Sequence, residues 1–393
     1  MIKRILYTLL IMFPVLASAQ INTDRVMAIG RNALYFEDYV LSIQYFNQVI
    51  NAKPYLSDPY FYRGLAKINL DDFQGAESDC SEAIERNPFV VSAYQVRGLA
   101  RIQQNNFAGA IEDYTKALEF DPENIGVWHN MALCRIRQED YKGAKNDLDK
   151  LIAISPRYTK AYLMRGEVDL KQKDTLAAEK DFGKAIEIDR YDADTWASRA
   201  ILRLQQQRYK DAEADFDHAI RLSTRNSGVY INRALARYHQ NNLRGAMSDY
   251  DIALDIDPNN FIGHYNRGLL RAQVGDDNRA IQDFNFVIEM EPDNMMAIFN
   301  RGLLLDQTGD YKGAIKDYST VINEYPNFLL GYQYRAQARR KIGDVKGADA
   351  DEFKVLKAQL DKQNGVDPNK QTADNTENNK TRKKSEQKHE QLS

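Results

Sequence analysis

Residues 91–124 read VSAYQVRGLARIQQNNFAGAIEDYTKALEFDPEN. Tyr94, Arg97, Gly98, Ala110, Tyr114, Ala117 and Pro122 mark this stretch. One period of 34 residues later, Trp128, Ala132, Ala144, Leu148, Leu151 and Pro156 occupy the same places. The next period brings Tyr162, Arg165, Gly166, Ala178, Phe182 and Ala185. A fixed period of this size indicates tandem units that each bury a face against a neighbour. Working outward, the marks return as Gly30, Ser42, Phe46 and Pro54 near the start, and as Gly302, Ala314, Tyr318 and Pro326 toward the end. About ten copies follow one another without insertion over residues 23–362.

Each copy reads as two helices joined by a tight turn. A Gly or Ala in the first helix and an Ala early in the second let the two backbones approach. The aromatic of the second helix, such as Phe182, Phe216 or Tyr250, then fills the space between repeats and buries on the order of 150–250 Å². Proline ends the second helix by pushing the residue before it out of the α region. Asp71-Asp72, Asn105-Asn106, Asn241-Asn242 and Gly309-Asp310 mark the turns. Proline is missing at Arg190 and Thr224, the junctions that flank the sixth copy.

Taken together, the aromatic, the small residue four positions on, the alanine, the second aromatic and the proline resemble the tetratricopeptide repeat. The resemblance implies an all-α, right-handed superhelical solenoid of about ten tandem helix-turn-helix repeats. It also implies that first helices line a concave face holding an extended peptide or a partner's helix. On the family's spacing, inward positions include Phe61, Leu65, Leu99, His129, Leu133, Ile136, Arg137, Leu163, Leu235, Tyr238, Tyr265, Leu269, Phe299 and Leu303. Many of the aliphatic ones are expected to pack on a neighbouring helix. Phe61, Tyr238, Tyr265 and Phe299 are the partner-binding candidates, because aromatic side chains dominate binding hot spots. Some family members clamp the C-terminal Glu-Val-Asp of cytosolic chaperones with Lys and Asn. Here Phe61 and Gln95 stand where Lys is wanted, and Leu65 and Leu99 replace the Asn.

Two charged tracks share the period. Arg63, Arg97, Arg165, Arg199, Arg233, Arg267, Arg301 and Arg335 recur in first helices, interrupted by Met131. Asp79, Asp113, Asp147, Asp181, Asp215, Asp249, Asp283, Asp317 and Asp351 recur in second helices. A planar guanidinium binds a carboxylate through two hydrogen bonds, so the tracks are expected to form a ladder, either within a repeat or to the repeat before. The competing reading is an anion-binding stripe.

The two ends differ from the array. MIKRILYTLLIMFPVLASAQ has a basic start, a short apolar core and Ala17-Ser18-Ala19, the pattern of a cleaved export signal over residues 1–19. A periplasmic or secreted protein is therefore expected, with no integral membrane span. From Asp361 the apolar residues nearly vanish, so a disordered polar tail is assigned to 363–393. Cys80 and Cys134 are expected to be separate, buried thiols.

No P-loop, dinucleotide fingerprint, zinc-protease motif or nucleophile elbow occurs. The five histidines lack metal-ligand spacing. A net charge of −3 gives no nucleic-acid footprint. The reading is a non-enzymatic scaffold or assembly adaptor in the cell envelope, without cofactor or metal, that holds a protein or peptide partner. The alternatives are a carbohydrate or cell-wall binding module, and a structural spacer.

Overall fold

A computed structural model describes residues 22–222 and 225–363. The export signal read at 1–19, the Thr224 junction and residues 364–393 of the tail lie outside the described residues. Among the described residues there are twenty helices and no strand. The chain divides into two compact units, Met1–Arg199 and Ala200–Ser393.

In the first unit, helix pairs are α1 (Thr23–Tyr35) with α2 (Tyr39–Ala52), and α3 (Asp58–Ile68) with α4 (Phe73–Arg86). Next come α5 (Val91–Gln103) with α6 (Phe107–Phe120), α7 (Ile125–Arg137) with α8 (Tyr141–Ile154), and α9 (Thr159–Lys171) with α10 (Thr175–Ile188). Helix α11 (Ala193–Gln205) runs across the boundary. The second unit continues with α12 (Tyr209–Leu222), α13 (Ser227–His239), α14 (Leu243–Ile256), α15 (Phe261–Gln273) and α16 (Asp277–Met290). It ends with α17 (Met295–Thr308), α18 (Tyr311–Glu324), α19 (Leu329–Lys341) and α20 (Val345–Gln363). Helix α20 has 19 residues where the other second helices have 14, so it runs through the assigned end of the array to Gln363, the first residue assigned to the tail.

The two turn residues of each repeat have separate jobs. The first is left-handed, at Glu37, Asp71, Asn105, Glu139, Lys173, Gln207, Asn241, Gly275, Gly309 and Gly343. In the second repeat, Asp71 N–H then donates to Ile68 C=O and Asp72 N–H to Lys67 C=O, which satisfies the last carbonyls of the first helix. A non-glycine residue in this region costs roughly 1–2 kcal/mol, so the bonds it permits offset strain. In most repeats the second turn residue caps the next helix; Arg208 and Asp276 are the exceptions. The Asp72 carboxylate accepts from Gly75 N–H at 2.9 Å, and Asn242 serves Gly245 in the same way. Each such cap is worth about 1 kcal/mol.

Close packing explains the small residue of the first helix. A Cβ added to Gly98 would stand 2.8 Å from the Tyr114 ring, and one added to Gly166 would stand 2.6 Å from the Phe182 ring. Tyr114, Phe182, Phe216, Phe284 and Tyr318 are buried completely or nearly so. Cys80 and Cys134 are separate buried thiols.

The ladder reaches both neighbours at once. Arg233 donates through Nε and Nη2 to Asp249 of its own repeat, at 3.0 and 2.6 Å. Its Nη1 donates to Asp217 of the repeat before, at 2.7 Å. The same fork joins Arg97 to Asp113 and Ser81, Arg165 to Asp181 and Asp149, and Arg301 to Asp317 and Asn285. Four residues on, a second cation reaches the same aspartate: Lys67 on Asp79, Arg101 on Asp113, Arg237 on Asp249, Arg271 on Asp283 and Arg339 on Asp351. The aspartates are buried. A carboxylate removed from water needs this much hydrogen bonding to offset the cost of its desolvation.

Candidate functional site

The face of α7 and α9 leaves a cleft of about 520 Å³ in the first unit. Leu133 and Ile136 of α7 and Met164 of α9 supply its apolar surface. Arg137 and Lys171, the last residues of the two helices, bring cations, and Glu139 and Glu167 bring carboxylates. The left-handed turn at Glu139 (φ 60°) carries the chain from α7 to Tyr141, which starts α8 and also lines the cleft. Helix α7 ends at that turn and α9 at the equivalent left-handed turn at Lys173, so the charged pair sits at helix C-termini, where the backbone dipole favours cations.

Arg137 and Lys171 have no carboxylate within ion-pairing distance among the described residues. A second cleft, of about 640 Å³, lies over Arg97 and Arg101. There both guanidinium groups already hold Asp113, and Arg101 also holds Glu77 at 2.8 Å. The cations of the first cleft are therefore the ones left over from the ladder. His129 completes the lining, with its Nδ1 3.3 Å from the Tyr158 hydroxyl. Burial, with the Lys160 charge adding to it, holds the imidazole below its ordinary pKa and so neutral at pH 7. Chemically, the cleft offers a strip of apolar contact beside two cations outside any ion pair, with Lys171 acting on the Glu167 carboxyl only at longer range. That combination suits an extended segment with an apolar side chain next to an acidic group.

None of Phe61, Tyr238, Tyr265 and Phe299 lines this cleft. Each is half-buried against a core cluster. Tyr265 meets Phe284 edge-on at 5.8 Å, and its hydroxyl accepts from Asn300 Nδ2 at 3.2 Å. Phe299 packs among Tyr318, Phe328 and Tyr334 with ring centroids 5.1–5.9 Å apart. Phe61 lies 5.0 Å from Tyr62, and Tyr238 lies edge-on to His239 at 5.5 Å. A large ring at an inward position shields its own flank by folding back on the second helix. The inward residues His129, Leu133, Ile136 and Arg137 do line the cleft. Glu167 and Lys171, which sequence reasoning passed over, are the residues one period after Leu133 and Arg137, so the register alone points to them.

Among the described residues, no group of three or more His, Cys, Asp and Glu side chains is placed to hold a metal ion. No described helix is long and apolar enough to cross a membrane.

Three family models match the chain. One described as TPR repeat covers residues 98–134. Two described as tetratricopeptide repeat cover 198–261 and 265–327, and 125–158 and 159–192. No curated protein sequence matches. Among solved structures, the C-terminal part of a TPR repeat-containing protein from Cytophaga hutchinsonii is 17% identical, with a TM-score of 0.50. The match covers 60% of this chain and 97% of that one. A tetratricopeptide repeat protein from Parabacteroides merdae is 21% identical, with a TM-score of 0.49, covering 63% of this chain and 98% of that one. These likenesses concern the fold.

Proposed function

Because the chain belongs to the tetratricopeptide repeat family, we propose that it is a non-enzymatic scaffold of the cell envelope that holds a segment of a partner protein. The observation that carries this reading is the cleft on α7 and α9, with its apolar strip and unpaired Arg137 and Lys171. Tetratricopeptide repeats serve protein–protein interaction, and this cleft has the composition of a peptide groove rather than of a catalytic pocket. The envelope location rests on the basic, apolar and Ala17-Ser18-Ala19 segments at the start of the sequence. The bound segment lies across the apolar strip and turns an acidic group toward the two cations.

The test is crosslinking in intact cells. A photoreactive residue at Leu133 or Met164 is expected to capture one defined envelope protein. Arg137→Glu with Lys171→Glu is expected to weaken that capture about tenfold or more while melting stays nearly unchanged, since exposed substitutions usually shift stability by less than ~0.5 kcal/mol. Capture that survives both reversals would move the binding surface elsewhere. Retention of the purified chain on peptidoglycan, with no protein captured, would favour the cell-wall module instead.

A further inference from the structure

Second helices carry an aliphatic residue at one register place: Ile50 in α2, Leu254 in α14 and Ile322 in α18. All three are buried, at 9% exposure or less. The first helix of the following repeat covers them: Ile50 shares a cluster with Tyr60, Leu254 packs toward Gly263, and Ile322 packs toward Gly331. Leu356 holds this place in α20 and is 53% exposed. Beside it, Phe353 is 66% and Leu360 48% exposed. Phe353 stands where Asn285 and Ser319 of earlier second helices accept a hydrogen bond from the next repeat's arginine. The ladder acceptor has thus been exchanged for an aromatic ring.

The last repeat of a solenoid usually presents a polar outer face. In α20 the polar exchange falls on a different flank. Glu352 replaces the core aromatic and holds Arg340 at 2.6 Å, while Phe353, Leu356 and Leu360 keep the outer face apolar. The three are separated by three and then four residues, the spacing of a coiled-coil seam. Glu352 and Lys357 flank that seam five residues apart, the spacing at which parallel paired helices exchange salt bridges. Residues 364–393 carry Val366 and Leu392 as their large aliphatic side chains.

We infer that α20 is a self-association surface, on which two copies of this chain pair α20 with α20, parallel and about a two-fold axis. Leu356 and Leu360 then meet their own counterparts across the axis, and Glu352 of each copy, its carboxylate shared with its own Arg340, faces Lys357 of the other. A two-fold contact is self-complementary, and a seam flanked by one acid and one base meets that condition with a copy of itself. Three seam residues make a small interface beside the ~800 Å² per partner of a standard one, so association in the micromolar range is expected.

Sedimentation velocity on the mature chain tests this. Between about 1 and 100 µM the chain is expected to pass from monomer to dimer. Phe353→Glu and Leu356→Glu, both at exposed positions, are each expected to remain monomeric at the highest concentration with unchanged circular dichroism. Lys357→Glu is expected to weaken pairing, and Glu352→Lys added to it to restore pairing. Leu360→Cys is expected to crosslink to itself under mild oxidation, with Cys80 and Cys134 buried and silent. A wild-type monomer at about 100 µM, or a dimer that survives both Phe353→Glu and Leu356→Glu, overturns the inference. A dimer in which Leu360→Cys fails to crosslink overturns the parallel pairing. This surface lies apart from the α7–α9 cleft, so failure here leaves the scaffold reading standing.

Discussion

Repeat four and repeat seven share one plan and execute it differently. In repeat seven the buried Asp249 receives Arg233 through two hydrogen bonds and Arg237 through a third, at 2.6–3.0 Å. In repeat four Met131 stands in the place of the first arginine and packs in the core with Tyr94 and Tyr114. Asp147, also buried, is left with Arg135, whose Nε lies 2.7 Å from Oδ2 without being aimed at it. Another part of the same guanidinium is drawn away to Asp140. Burial therefore pushes the Asp147 carboxyl up to about 6, against the pull of Arg135. Burial raises the Asp113 carboxyl as well, although it holds both Arg97 and Arg101, so a second cation opposes desolvation without cancelling it.

The junctions differ too. Glu213 holds Arg237 and Gln240, as Glu77 holds Arg101 and Gln104. Between repeats four and five the charges are exchanged: Lys145 donates to the buried Asp169 at 2.5 Å, at the same register places. A uniform array lets one repeat stack on the wrong neighbour. The reversed pair makes the correct stacking electrostatically distinct.

The largest effect should come from emptying the intact rung. Arg233→Ala with Arg237→Ala leaves Asp249 buried and unpaired, and should cost ~3–5 kcal/mol in urea unfolding. Either single change should cost less, because the other arginine stays. Loss no greater than that of a surface substitution would show that the ladder contributes little.

The weakened rung should reveal itself through pH. Its carboxyl pKa is raised in the folded chain, to about 6 from an ordinary 3.8, so the protonated form is the one folding favours. This contribution to stability is present below pH 3.8 and is lost as the pH rises through 6, by at most about 3 kcal/mol at 1.36 kcal/mol per unit. Asp147→Asn should remove that part of the pH dependence, read from melting curves between pH 4 and 8, windows set on either side of about 6. An unchanged slope would mean that Asp147 is solvated or better paired than its surroundings imply.

A smaller loss, about 1–2 kcal/mol, is expected for Lys145→Glu, which sets two carboxylates against each other. Asp169→Arg should recover it, and Lys145→Glu with Asp169→Arg should then resemble the Glu77–Arg101 junction. Failure of the rescue would reduce the reversed pair to a chance exchange. Least of all should Met131→Arg change stability at pH 5, within ~1 kcal/mol, because lost packing offsets the restored rung. Its mark should be a flatter pH profile as the Asp147 pKa falls.

The period, the helix pairs, the buried aromatics and both charged tracks were legible in the sequence. Repetition multiplies one local pattern until propensity, turn chemistry and burial agree in about ten copies. The second cation of each rung, at Arg101, Arg237 or Arg271, was equally present in the register and went unread. The aromatics Phe61, Tyr238, Tyr265 and Phe299 were not legible in the same way. A helical period states which face a residue occupies, but not whether its ring stands free or folds onto Phe284 or Tyr318. The sequence by itself determined the solenoid, its register and the identity of the ladder. Only the tertiary structure decided which cations the ladder consumes, leaving Arg137 and Lys171 unpaired in the cleft. It also decided that Leu356, an ordinary core residue by register, lies open on the last helix. The physical reason is the same in both cases: pairing and burial are properties of neighbours in space, and those neighbours come from other repeats.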